Sequence, residues 1–304
     1  MGIAFGMVLF GLASLSLLAY LGYGLVKLLL PPDWQPYEGL LAPLLGYASL
    51  LLFGYYGVHT VLSLRQVLFI FLGLATILNG LALWIRRGER LTLSLREHGW
   101  AWLLAALAFL LCILPLLHYG YLTIIGENVD PEFYLSLTEY LVRVPAKGIA
   151  TMPVSPLRDL DVNPMRYGVA FGFSVAQGVL QQLGGWDALR SFAPTMALLR
   201  GLAVLAFYLL FRRTLGMQKL PALLATALVA CNGLALWGIY YNFGMQTSAV
   251  LLVPLGLVLL AGALHQPSWR VVLAAGLAIA AMPVAYYAML TAFVPIAAAL
   301  GLYE

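Results

Sequence analysis

Carboxylates gathered in one stretch are the residues here best equipped for chemistry. Of the twelve Asp and Glu side chains, seven fall between residues 119 and 190: Glu127, Asp130, Glu132, Glu139, Asp159, Asp161 and Asp187. The densest polar cluster is GENVDPEFY, residues 126 to 134. Asp130 directly precedes Pro131, the arrangement of a helix N-cap with proline at the first helical position. A carboxylate held at such a helix start is also placed to take a proton from an attacking hydroxyl or to coordinate a divalent cation. Glu127 and Glu132 are secondary candidates for the same work. Asp159, Asp161 and Asn163 form a loose acidic group, but RDLDVN lacks the glycine and distal glutamate of an EF-hand loop.

Cations accompany these carboxylates. Lys147, Arg158 and Arg166 could clamp a phosphate or pyrophosphate, since Arg offers two parallel donors to such an anion; they could equally be solvated or headgroup-facing charges. Arg200 stands apart, inside the apolar run SFAPTMALLRGLAVLAFYLLF. A charge near a bilayer midplane costs about 2.5–3.5 kcal/mol on the insertion scale, so it must face protein, water or a lipid phosphate. It is either the partner of a lipid phosphate or carboxylate, or half of an interhelical contact. His59, His98, His118 and His265 fall near span ends without metal-ligand spacing, and each is expected to be an interfacial polar residue. Cys112 and Cys231 lie in apolar runs and are expected to be small buried hydrophobes. Tyr240, Tyr241, Asn242 and Gln246 make a second polar patch, where an aromatic belt accounts for the tyrosines and the amides could line a groove. The sequence contains no Walker A, GxSxG or HExxH motif, which argues against ATP-driven pumping by this chain alone.

The elements that must position these residues follow from composition. With 63% hydrophobic and 9% charged residues in 304, the chain has too few charges to clothe a water-facing surface. An all-α, polytopic membrane protein is expected, and soluble enzymes and nucleic-acid binders are excluded. A hydrocarbon core of about 30 Å takes about 20 apolar helical residues. Candidate spans are 4–29, 38–62, 66–86, 98–118, 191–212, 219–240 and 246–264. The run 270–303 is expected to be a hairpin of two short spans broken at Pro283, giving about nine in all. The N-terminal run lacks a basic leader and is expected to be retained as a span.

Orientation follows from the basic loops, one with Arg86, Arg87, Arg90 and Arg96, the other with Arg212, Arg213 and Lys219. Both are expected to face the cytoplasm, which requires an even number of crossings between them. The Gln- and Gly-bearing segment 165–184 therefore should not cross; it is expected to lie on or partly within the outer interface, inside one extracytoplasmic loop, 119–190. In that loop Phe133, Leu137, Tyr140, Leu141 and Val144 follow three-four spacing, so a helix along the membrane surface is expected, followed by an extended, proline-bearing connector.

From His98 onward the order of parts resembles the GT-C superfamily of polyprenyl-phosphate-sugar-dependent glycosyltransferases, the group of the protein O-mannosyltransferases and the lipid A aminoarabinose transferase. The resemblance runs through ENVDPEFY, then NPMRYGVAFGFSVAQGVLQQLGG, then ALRSFAPTMALLRGLAVLAFYLLFRRTLG, then the spans in LPALLATALVACNGLALWGIYYNFGMQTSAVLL. It rests on pattern across roughly 205 residues. It divides the chain into a three-span extension, 1–97, and a GT-C-like core, 98–304. It implies sugar transfer at the outer face of the plasma (inner) membrane, from a polyprenyl-phosphate donor to a glycan, lipid or protein acceptor. Asp130, with Glu127, would act as base or as ligand of Mg or Mn; Glu132, Tyr134, Lys147, Arg158, Arg166, Tyr167 and Arg200 would bind substrate. Two departures weaken the match: Glu127 and Asp130 are spaced apart where the family has paired acids, and the turn YYNFGMQ lacks an aspartate. The end at Glu304, within or just after a span, suggests a piece of a longer protein. A secondary transporter or lipid flippase, and a noncatalytic assembly subunit, are the competing functions.

Overall fold

The computed structural model describes residues 2–87, 95–119, 130–149 and 171–303. Every regular element among them is helical. In chain order they are α1 (Gly2–Leu29), a 3-10 turn (Pro32–Tyr37), α2 (Glu38–His59), α3 (Leu64–Ile85), α4 (Leu95–Tyr119), α5 (Asp130–Arg143) and α6 (Ala146–Ile149). There follow α7 (Gly172–Leu180), α8 (Ala188–Leu209), α9 (Lys219–Ala230), α10 (Gly233–Tyr240), α11 (Gly244–Val250), α12 (Leu252–His265), α13 (Trp269–Tyr286) and α14 (Met289–Tyr303). Among the described residues, eight helical stretches are long and apolar enough to cross a membrane, and Met289–Leu302 is a shorter apolar helix. The fold is an all-α polytopic bundle.

Burial sorts these spans into a centre and a rim. The α2 and α8 spans are 72% and 83% buried by protein, whereas α3 and the α9–α10 span are 28% and 22% buried. On α9, Leu220, Leu224 and Leu228 stand exposed at four-residue spacing, the stripe expected of a helix flank that meets lipid. Residues of α1, α2 and α3 share one continuous core with α8, α12 and α13.

Contact between α1 and α2 is set by two glycines. A Cβ on Gly22 would stand 1.9 Å from the Ala42 carbonyl oxygen, and one on Gly46 would stand 1.9 Å from the Leu18 carbonyl oxygen. Small residues at such crossings let backbones touch, which is how helices gain packing energy where lipid supplies no hydrophobic drive. At the far end of α8 the helix widens into a π turn over Leu210–Thr214 and stops at Gly216, whose φ of 60° suits a residue without a side chain.

The bundle has two distinct ends. At one, Arg213 pairs with Asp33 and lies over the Trp34 ring, 4.8 Å from its centroid. There too Arg86 donates to the Leu30 carbonyl (3.2 Å) and His98 bonds the Pro36 carbonyl (3.0 Å). The described residues of both basic loops therefore lie at one end, with an even number of crossings between them. At the opposite end, Tyr55 and His59 of α2 pack on Phe171, Trp186 stacks on Phe10, and α5–α7 cover the bundle.

Three local expectations change. The helix from Trp269 runs through Pro283 and breaks only after Tyr286, so the proline does not mark the hairpin. His98 is 1% exposed and joins the 3-10 turn to α4 and α8 through Pro36 and the Tyr208 hydroxyl (3.2 Å), so it is an interior residue. Cys231 is exposed, whereas Cys112 is buried as expected.

Candidate functional site

The described part of the acidic loop is built on α5 and α7. Apolar spacing in α5 buries Phe133, Tyr134, Leu137 and Leu141, and turns Glu132 and Arg143 outward. Its inner face rests on α7, which has nine residues and measures about 14 Å, too short to traverse a bilayer. The helix is too short to cross, as expected, but it is enclosed by protein and does not lie free on a surface. Every residue of α7 is buried, enclosed by α2, α3, α5, α8, α11 and α13.

The reason is that its polar side chains are satisfied within protein. The Gln177 side-chain amide donates to the Ala188 carbonyl (2.5 Å) and to Ser191 Oγ (3.0 Å), and its oxygen accepts from Thr138 (3.4 Å). Ser191 in turn donates to the Gln181 oxygen (3.3 Å). Glu139 of α5 accepts from the Ala188 backbone N–H at the start of α8 (2.7 Å) and from Gln181 (3.5 Å). Asp187 caps the same helix by accepting from the Arg190 N–H at 2.8 Å. A buried polar network closed in this way fixes three helices against one another, whereas an unpaired amide there would carry a desolvation cost of about 1–3 kcal/mol.

The substrate-facing candidates separate against this frame. α5 begins at Asp130, as the N-cap motif requires to within a residue. Glu132 and Lys147 are exposed at the same end of the bundle. Tyr134 is 0% exposed and packs against Phe173 and Phe192, 5.2 and 6.4 Å between ring centroids. Its place in the structure is the core. Glu127, Arg158, Arg166 and Tyr167, and the Asp130 side chain, lie outside the described residues. Among the described residues, no group of three His, Cys, Asp or Glu side chains is arranged to hold a metal ion.

Arg200 is remote from that group. It sits near the middle of the 27-residue Ala188–Thr214 span, is 4% exposed, and donates through Nη2 to the Val229 carbonyl at the end of α9. It thus makes an interhelical contact, as one of its two sequence readings requires. Its Nε has no partner. Beside it lies a cavity of about 330 Å³ that Gln246 also lines, and the Gln246 Oε1 is unpartnered as well. Of the second polar patch, Tyr240 donates to the Leu111 carbonyl (2.6 Å), and Asn242 is a buried turn residue with φ of 64°. The sequence hinted at this cavity only through a lone Arg and a Gln in separate apolar runs.

The class this fold defines is a polytopic helical membrane protein with a helical cap at the end opposite its basic loops. Comparison with protein-family models, with curated proteins and with solved structures finds no match for the chain.

Proposed function

We propose that the protein is a membrane glycosyltransferase of GT-C type. It moves a sugar from a polyprenyl-phosphate-linked donor to a glycan, lipid or protein acceptor on the extracytoplasmic face of the plasma (inner) membrane. The observation that carries the reading is the connection between α4 and α8: its described parts, 130–149 and 171–187, lie at the end away from the basic loops and hold a short helix that enters the bundle without crossing it. This matches the order of parts the resemblance implies, and the positive-inside rule turns that end outward.

In this reading Asp130 accepts the proton of the acceptor hydroxyl as its oxygen bonds to the sugar's anomeric carbon. The bond from that carbon to the donor phosphate oxygen breaks, and polyprenyl phosphate leaves. Lys147, Arg158 and Arg166 hold the phosphate; Glu127, Glu132 and Tyr167 border the sugar and acceptor. Asp130 is also the residue that a Mg or Mn ion would use. The test is transfer from a labelled polyprenyl-phosphate sugar by protein in lipid nanodiscs. Asp130→Asn is expected to lower turnover by about 10²–10⁴ with an unchanged melting temperature. Full turnover by that variant removes Asp130 from the mechanism, and turnover unaffected by a chelator removes the metal.

A secondary transporter or lipid flippase is the second reading, favoured by one interrupted span, which breaks at Cys231–Asn232 between α9 and α10, where Asn232 has extended backbone. Broken helices at the midplane are a frequent mark of transporters. Movement of a labelled lipid or solute across vesicles without a covalent product would decide for it.

A further inference from the structure

We propose that the cavity beside Arg200 is a lateral binding site for the carboxylate of a long-chain amphiphile entering from the bilayer. The inference is independent of sugar transfer and uses none of the loop residues. Three observations carry it. The Arg200 guanidinium is almost fully buried, makes one hydrogen bond to a backbone carbonyl, and keeps its Nε–H unpartnered. Among the described residues, no acidic side chain lines the cavity to neutralise that charge. The lining residues Leu234 and Trp237 are 76% and 49% exposed, on the flank where α9 also shows its leucine stripe, so the cavity opens sideways.

The chemistry of the lining narrows the ligand. A buried cation is tolerated when an anion and hydrogen bonds complete its shell. One guanidinium matches one negative charge; a phosphomonoester, carrying close to two, would bring an unmatched charge into an apolar site. A phosphodiester lipid is monoanionic, but its second substituent carries a polar headgroup. Beyond Arg200, the described lining offers only the Gln246 amide, the Thr247 hydroxyl and the Trp237 indole N–H to receive it. A carboxylate ends its chain, needs no further polar room, and fits the planar donor edge of the guanidinium. The Gln246 amide, whose oxygen and nitrogen are interchangeable by a flip, can supply a second donor. The chain would leave between Leu234 and Trp237 into lipid.

The probe is a hexadecanoic acid bearing a photoreactive diazirine and an alkyne, added to the purified protein in nanodiscs. Saturable labelling within residues 234–250 is expected, with competition by palmitate at concentrations at least tenfold below those needed for hexadecanol or hexadecyl phosphate. Arg200→Gln is expected to reduce labelling at least tenfold. Should that variant misfold, Ala203→Phe fills the cavity while leaving the guanidinium, and is expected to abolish labelling equally. Equal competition by hexadecanol, or undiminished labelling of folded Arg200→Gln or Ala203→Phe, overturns the proposal. Stronger competition by lysophosphatidylglycerol than by palmitate overturns the carboxylate assignment. Because no sugar donor is present, failure here leaves the transferase reading to its own assay.

Discussion

Lys27 and Glu38 form a buried ion pair, their side chains 1% and 8% exposed with Nζ and Oε2 2.8 Å apart. Removing one partner strands the other in a low-dielectric interior, so Lys27→Met or Glu38→Gln is expected to destabilise by about 3–5 kcal/mol. The double replacement Lys27→Met with Glu38→Leu is expected to recover most of that loss, which thermal unfolding in detergent measures. Neither residue stood out in sequence, because a lone Lys at a span end is commonly a snorkelling cation. The reverse happened with Gln177 and Gln181. Their polarity suggested the bilayer interface, but they are interior because Ser191, Glu139 and Thr138 meet them there. A single side chain's polarity does not disclose whether its partner is water or another segment brought close by the fold.

At the scale of elements, the spans were legible because about 20 apolar residues in a row have few other uses. Their boundaries mostly agree with the helices, including the start of α5 at Asp130. The interruption near the middle of the Lys219–Tyr240 span was hidden: Cys231–Asn232 contains no proline, and the break is made by a local cap. Asn232 shows how, its side-chain oxygen accepting the Ala235 N–H at 2.9 Å to start a new helix. Pro283 was the opposite case, a residue that breaks isolated helices but is accommodated inside α13. The α1–α2 crossing gives a prediction at this scale. Gly46→Leu is expected to force the helices apart and lower stability by about 1–3 kcal/mol, the ordinary cost of overpacking, while the same change at Gly276, which has open space, is expected to be near neutral. Paired melting curves check the contrast.

For the whole molecule, the decisive property is which end faces which compartment. In a background where Cys112 and Cys231 are replaced by Ala, single cysteines at Glu132 and Lys147 are expected to react with an impermeant maleimide on intact cells. One at Leu215 is expected to react only after permeabilisation. All three positions are exposed, so labelling reports sidedness. Reaction at Leu215 from outside would invert the scheme and move the proposed transfer to the other face. The common location of the two basic loops was legible from charge counts alone; the depth of α7 was not, because it depends on contacts made across more than a hundred residues of chain.

The central position of α2 bears on how the chain is built into the membrane. Helices leave the ribosome in order, so α2 must reside in lipid long before α8 and α13, which later surround it, have been made. Its partner for the buried charge is α1, and the joining glycines belong to these same two helices. The hairpin can thus neutralise its own ionic pair at birth, and it offers the later spans a ready surface on which to assemble.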